Sequence, residues 1–463
     1  MSRYFTYRSL DDLRAGVGAR GVDITLADRV DRLLQPVAIG GRTIGNRLAV
    51  HPMEGCDGTL DGRPGELTFR RWQRFGSGGA KLIWGEATAV VPEGRANPRQ
   101  LLVNDDTAPD FERLLRETRA VHQERFERDD DLLIGLQLTH SGRWSYPQPL
   151  IARHSRTLDP LKHIGADGPL LDDAHLERLA EAYAAAARLA RDAGFDFVDV
   201  KQCHTYLLNE LLAARHRDGP YGGSFENRTR LLRDVITAIR REAGDGLLLA
   251  SRVNVYDGPR YGGPPGQRGE PDPEPDNTGF GVSGVDGISP DMAEPLRLVG
   301  LLRDLGVRLV NVTMGSPYFN PHIGRPFERA PVDGYEPPEH PLEGVARHFR
   351  LAGEVQRAYP DIAVIGTGYS WLRHYAALAG EANVALGRVT LMGLGRGALA
   401  YPDFAADLVE RGQMSDRKAC IGVSYCTALM RAKGNELGQF PAGCVPRDPL
   451  YAEQFKLATG RAV

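Results

Sequence analysis

Eight times along this chain a short run of bulky apolar residues gives way to a longer segment with helical spacing, and few folds satisfy that alternation. The strand-like runs lie at 47–53, 80–86, 132–138, 195–200, 247–253, 307–312, 362–366 and 389–393. The helical segments lie at 66–75, 108–127, 173–192, 225–242, 291–305, 342–358, 370–379 and 403–410. The segment 173–192 is the clearest, with Leu176, Leu179, Ala180, Tyr183 and Ala187 on one stripe and Gly194 as its stop. Eight strand-then-helix units predict a (β/α)8 TIM barrel, an α/β fold. Periodicity does not show closure, so an open doubly wound sheet satisfies the same pattern. On this reading residues 1–34 are an N-terminal extension of one or two short helices outside the main fold. Residues 35–412 form the barrel, and 413–463 form a C-terminal tail containing cysteines.

Two connections are unusually long. Residues 257–287 are rich in Gly, Pro and acid and show no helical period; residues 143–171 follow the third strand. Loops that follow strands lie on the catalytic face of a barrel, so 257–287 is expected to act as a lid or specificity loop. A solvated insertion explains its composition equally well.

The chain can bury a large core, with 463 residues, 42% of them hydrophobic and 25% charged. A net charge of −3 gives no electrostatic case for nucleic acid or an anionic membrane. No apolar run is long enough to span a bilayer, and the N-terminus has no apolar leader segment, so a cytoplasmic enzyme is the default expectation. A homo-oligomer is compatible with the composition. Five cysteines, an odd number, do not read as a disulfide framework. Only six lysines occur, which makes Lys201 at a strand end more informative.

In a barrel the residues that close each strand face one pocket. In strand order they are Pro52, Met53 and Glu54; Glu86 and Ala87; Gln137 and His140; Lys201, His204 and Tyr206; Arg252 and Asn254; Asn311 and Thr313; Gly366 and Gly368; and Gly395 and Arg396. The glycine-rich turns IGTG and GLGRG let backbone N–H groups approach an anion, with Arg396 to neutralise it. A phosphate-bearing cofactor or substrate follows from this alone. Solitary histidines (His51, His122, His348 and His374) read as packing or surface residues.

The run from Phe195 to Arg230 carries His204-x-Tyr206-Leu207 and Tyr221-Gly222-Gly223-Ser224-x-Glu226-Asn227-Arg228. It resembles the old yellow enzyme family of FMN-dependent ene-reductases (NADH:flavin oxidoreductases). Further motifs follow in the same order: Pro36-Val37-x-Ile39-Gly40, Pro52-Met53, Gln137-Leu138-x-His140-x-Gly142-Arg143, Arg252 and Gly395-Arg396. The resemblance implies that Pro52, Met53, Glu54, Ala87, Gln137, Arg252, Gly368, Gly395 and Arg396 contact FMN. It also implies that NAD(P)H is the reductant, that Lys201, His204 and His140 contact substrate, and that Tyr206 donates a proton.

Three departures from the family pattern matter. Glu54 replaces a Thr or Cys beside the flavin, giving an acid/base or, as the plainer reading, a partner for Arg63 or another Arg. Lys201 replaces the first substrate-binding His, giving a stronger anion clamp or, as the plainer reading, an ion pair with Glu54 or Glu86. Cys420, Cys426 and Cys444 resemble a four-cysteine cluster segment in which Val423 stands at a ligand position, so buried thiols and no metal are expected. The appended dinucleotide-binding domain of the dienoyl-CoA reductase branch has no counterpart in the sequence.

The expected reaction is reduction of an activated C=C bond or the reverse desaturation, with Lys201, His204, Tyr206 and Glu54 as the catalytic set. Three rivals use the same residues differently: a redox-neutral isomerase, a flavin-free lyase or aldolase with a Schiff base on Lys201, and a flavin-binding protein without catalysis.

Overall fold

The computed structural model describes residues 4–330 and 334–462. Eight parallel strands close in sequence order: β1 (Leu48–Val50), β2 (Leu82–Ala89), β3 (Leu133–Thr139), β4 (Phe197–Val200), β5 (Leu248–Asn254), β6 (Leu309–Thr313), β7 (Ala363–Gly366) and β8 (Leu391–Leu394). Closure is direct, because β8 pairs with β1 in the register Met392↔Leu48, Gly393↔Ala49 and Leu394↔Val50. The expected barrel is therefore formed, and the open sheet is excluded.

Alternate residues of each strand divide between two cores. Ala49, Leu82, Trp84, Leu133, Phe197, Leu309 and Leu391 fill the barrel interior, where Ile39 and Ile44 of the antiparallel hairpin Val37–Ile39/Arg42–Ile44 join them. Val50, Ile83, Ile134, Val198, Val310, Val364 and Met392 face outward into the larger core beneath the helices.

Two helical segments differ from expectation. The segment 225–242 is broken into Phe225–Arg228, capped by Ser224, and Arg230–Ala243. At the break, the Thr229 hydroxyl donates to the Phe225 carbonyl at 2.7 Å, a back-bond that bends helices. The seventh segment opens as a 3-10 stretch, Tyr369–Tyr375, kinked at Arg373 (φ 52°), and becomes α-helical only over Ala376–Ala385.

The N-terminal helix Leu10–Arg20 buries Leu13 and Val17 in the main core. The extension is tethered where the Glu381 carboxylate accepts from the N–H groups of Asp31, Arg32 and Leu33 at 2.9–3.0 Å. The loop 257–287 is more ordered than its composition suggests, holding the paired strands Arg260–Gly262 and Glu270–Asp272 and a 3-10 turn, Pro275–Asn277. The tail forms the helices Tyr425–Arg431 and Pro449–Thr459 around its own apolar cluster of Ala428, Leu429, Phe440, Ala442, Val445, Tyr451 and Phe455. Among the described residues no helix is long and apolar enough to cross a membrane.

Candidate active site

The strand ends surround a cavity of about 430 Å³. Of the expected site residues, Pro52, Met53, Glu54, Ala87, Gln137, Lys201, His204, Tyr206, Arg252, Gly368, Gly395 and Arg396 all line it. His140 does not. Its ring is buried, its Nδ1 accepts from the Gly142 N–H at 3.1 Å, and it lies edge-on to His175, so it packs behind the cavity lining. Glu86 also sits behind the wall, where Arg71, the Trp72 indole and the Gly55 N–H hold its carboxylate. None of the lining residues comes from 257–287; the roof is built by the loop after β6, including Met314, Tyr318 and Arg325, and by the tail from Cys426 to Ala442. Residues 257–287, expected as a lid or a solvated insertion, therefore add nothing to the lining of this cavity. Asp257 instead works from below, accepting from the Asn209 amide at 3.2 Å.

One end of the cavity is built for an anion. Gly368 has φ +93°, and a Cβ there would meet the His348 side chain at 2.8 Å, so the turn after β7 needs glycine. Arg396 donates to the Pro326 carbonyl through Nη2, while its buried Nη1 has no partner; Nη2 of Arg325 is likewise buried and unpaired. Burial, and secondarily the charge of Arg396, lowers the Arg325 guanidinium to about 9. Two crowded cations with orphaned N–H groups are unfavourable unless an anion lies between them. Arg325 was not legible in the sequence because it follows no strand end; its segment, NPHIGRP, belongs to the loop that returns from β6.

Midway along the cavity, Asp199 fixes the polar edge. Its buried carboxylate accepts from Gln137 Nε2 at 2.5 Å, from the Arg252 N–H at 2.8 Å and from Trp84 Nε1 at 2.9 Å, and burial raises it to about 6. Gln137 thus presents its amide oxygen to the cavity. The Nε of Arg252 is another buried donor without an acceptor.

The facing wall carries Lys201, His204 and Tyr206. His204 (φ 65°) and Thr205 (φ 57°) are consecutive left-handed residues, a conformation that side chains resist and a β-branched one most of all. The turn is held by the Asn209 amide oxygen on the Thr205 N–H (2.6 Å) and by the Trp144 indole on the Thr205 hydroxyl (2.8 Å). Burial, reinforced by Arg252 and Lys201, pushes His204 well below its usual range, so it stands as a neutral imidazole.

Lys201 makes no ion pair with Glu54 or Glu86. Its Nζ lies over the Tyr206 ring, 3.5 Å from the centroid, and burial lowers it to about 8. Tyr206 is raised well above 10, first by burial, and its hydroxyl bonds that of Tyr318 at 2.9 Å. Tyr318 stacks on Trp144 at 4.0 Å between ring centroids, and burial raises its own phenol above the usual range. Glu54 is half-buried on the cavity wall and accepts from Asn97, with no arginine partner; burial raises it to about 7, against the pull of Lys201.

The model of the NADH:flavin oxidoreductase / NADH oxidase family matches residues 32–263, just over half of the sequence. The chain belongs to that family. An NADPH dehydrogenase of Geobacillus sp. (strain WCH70) is 34% identical over 232 residues, which is 49% of this chain and 64% of the relative. The match thus spans less than two thirds of that relative's length. Among solved structures of similar fold, the old yellow enzyme homologue of Zymomonas mobilis superposes with a TM-score of 0.57 at 20% identity, covering 84% of this chain and 95% of that one. A 2-naphthoyl-CoA reductase complexed with 2-naphthoyl-CoA gives a TM-score of 0.66 at 18% identity, covering 92% of this chain and 58% of the other. In this NADH:flavin oxidoreductase-family chain no disulfide joins any of the five cysteines, and Cys420, Cys426 and Cys444 border a small second cavity beside Arg396.

Proposed function

We propose that this protein is an FMN-dependent oxidoreductase that uses NAD(P)H to reduce an activated C=C bond. The observation that carries the reading is the set of buried guanidinium donors without acceptors, on Arg325, Arg396 and Arg252, along one cavity whose other wall holds His204 and Tyr206. Family membership supports the choice of a flavin. Bound FMN supplies two-electron chemistry, taking hydride from a nicotinamide and giving it to an electron-poor carbon.

The chain's own residues would do the rest. Arg396 and Arg325, with the turn at Gly368, would neutralise the phosphate. Gln137 would meet the pyrimidine edge, and Arg252 would face the negative charge that builds there. On the opposite wall, Lys201 and the neutral His204 donate to the oxygen that activates the alkene, drawing electron density away from its β-carbon. Tyr206, kept protonated by burial, holds the proton destined for the α-carbon, and the Tyr318 hydroxyl bonded to it would hand on its replacement.

Glu54 favours a second reading. A carboxyl that titrates at about 7 beside a lysine that titrates at about 8 suits a redox-neutral isomerase, moving a proton between two carbons of one substrate.

The test is the visible spectrum of the purified protein, repeated without oxygen after NADH or NADPH is added. Flavin bands that bleach, and recover when 2-cyclohexen-1-one follows, are the expected result. Bands that resist both nucleotides favour the isomerase, and a protein that takes up no FMN on reconstitution overturns the flavoenzyme reading.

A further inference from the structure

We propose that Lys162 and Lys433 form a second anion site at the mouth of the cavity, a clamp for the phosphate of the ligand that enters to react. The inference rests on the flavoenzyme reading and adds to it the chemical class of the reacting ligand.

The case begins with unbalanced charge. Glu54 is the only carboxylate among the cavity-lining residues, against seven lysine and arginine side chains. Four of those seven have places in the site already described: Arg396 and Arg325 at the phosphate cradle, Arg252 beside Gln137, and Lys201 over Tyr206. Arg431 donates to the Pro317 carbonyl at 3.1 Å. Lys162 and Lys433 remain, and among the described residues neither makes a hydrogen bond or ion pair through its ammonium.

Their positions are independent. Lys162 ends the turn Asp159–Lys162 in the loop after β3, and Lys433 follows the tail helix Tyr425–Arg431. Both line the same cavity, and Lys162 is held below its usual value first by burial and then by the charge of Lys433. With only six lysines in the chain, two of them face one opening without a counter-ion. A multiply charged group relieves both the repulsion and the unmatched field, and two flexible ammonium donors suit a phosphate held as a point charge. Asp159, three residues before Lys162, does not satisfy it, since its carboxylate is taken by Arg143 and His154.

Two ligands bring phosphate to this mouth: the pyridine nucleotide reductant, and an acceptor carried as a phosphorylated thioester. Binding is measured without turnover, by calorimetric titration of the full chain with NADP⁺, with coenzyme A and with pantetheine, which lacks the phosphates. In the double variant Lys162→Met/Lys433→Met, the dissociation constant of at least one phosphorylated ligand is expected to rise about tenfold at low salt, with a flatter salt dependence. The ratio of that constant to the one for pantetheine rises with it. Lys433 is exposed, so Lys433→Glu guards against misfolding and is expected to weaken the same ligand further. A change confined to NADP⁺ assigns the clamp to the reductant, and one confined to coenzyme A assigns it to the acceptor. If neither ligand's affinity depends on the two lysines, the clamp is overturned, whether or not the protein holds flavin. Lysine-dependent binding by a protein that takes up no FMN would instead sink the flavoenzyme reading alone.

Discussion

Lys201→Met should make the folded protein more stable while disabling it. Lys201 is only 3% exposed and makes no ion pair among the described residues, and burial outweighs the pull of Cys203 and Glu54 to lower it from 10.5 to about 8. Between those two values the unfolded chain keeps a proton that the folded chain has released. Stability therefore climbs with pH through that window, and the full penalty applies below 8. At about 1.4 kcal/mol per pH unit, a shift of this size costs roughly 3 kcal/mol at pH 7. Methionine keeps most of the stem's volume and removes the charge, so the variant is expected to gain up to about that amount at pH 7 and nothing by pH 10.5. Thermal melting followed by circular dichroism, variant against wild type across pH 6–11, reads the difference directly. In the same variant, loss of one donor to the substrate oxygen is expected to slow enone reduction on the order of a hundredfold. A variant less stable than wild type at pH 7, or a difference that does not change with pH, would mean that the ammonium is stabilised by a partner, and the reasoning would fail.

Tyr318→Phe removes the hydroxyl bonded to that of Tyr206. It is expected to slow the oxidative half-reaction about tenfold and raise its solvent isotope effect, with flavin reduction by NAD(P)H nearly intact; stopped-flow traces of the two halves separate these. Gly368→Ala forces a side chain into a left-handed turn 2.8 Å from His348. With about 1–2 kcal/mol of backbone strain alone, FMN affinity measured by equilibrium dialysis should fall at least tenfold; unchanged affinity would remove this turn from the phosphate cradle.

The barrel was legible because its signals are local. Each strand is a short apolar run and each helix carries a stripe; closure itself, which an open sheet of the same units would lack, shows only in the pairing of β8 with β1. The residues at strand ends were legible for the same reason, since position along a strand fixes position at the mouth. What escaped detection depends on contacts between distant segments. Asp199 reads as an ordinary strand residue until β3 and β5 bring Gln137 and Arg252 to its carboxylate. Tyr318 and Arg325 lie in a loop with no period, and nothing in their spacing says that the loop turns inward. His140 fits a motif but points into packing, because the Gly142 N–H claims its ring nitrogen. Loop 257–287, chosen as a lid for its length and composition, is tied down through Asp257, whose carboxylate also accepts from the Asn254 amide at 2.7 Å and from the Phe280 N–H at 2.8 Å.

The tail that roofs the cavity has an apolar cluster of its own and is stitched internally, the buried Gln439 amide donating to the Met430 carbonyl at 2.8 Å, while the Ala442 N–H reaches back to the Gly55 carbonyl at 2.7 Å. A lobe with an apolar cluster of its own is expected to open as a cooperative unit at a lower free energy than melting of the whole barrel, although Arg70 and Arg74 tie it down through Asp448. Amide hydrogen exchange is then expected to be faster in the tail than in the barrel strands. The same separateness means that a substitution confined to the lobe can reshape one wall of the cavity while the strand-end residues keep their places.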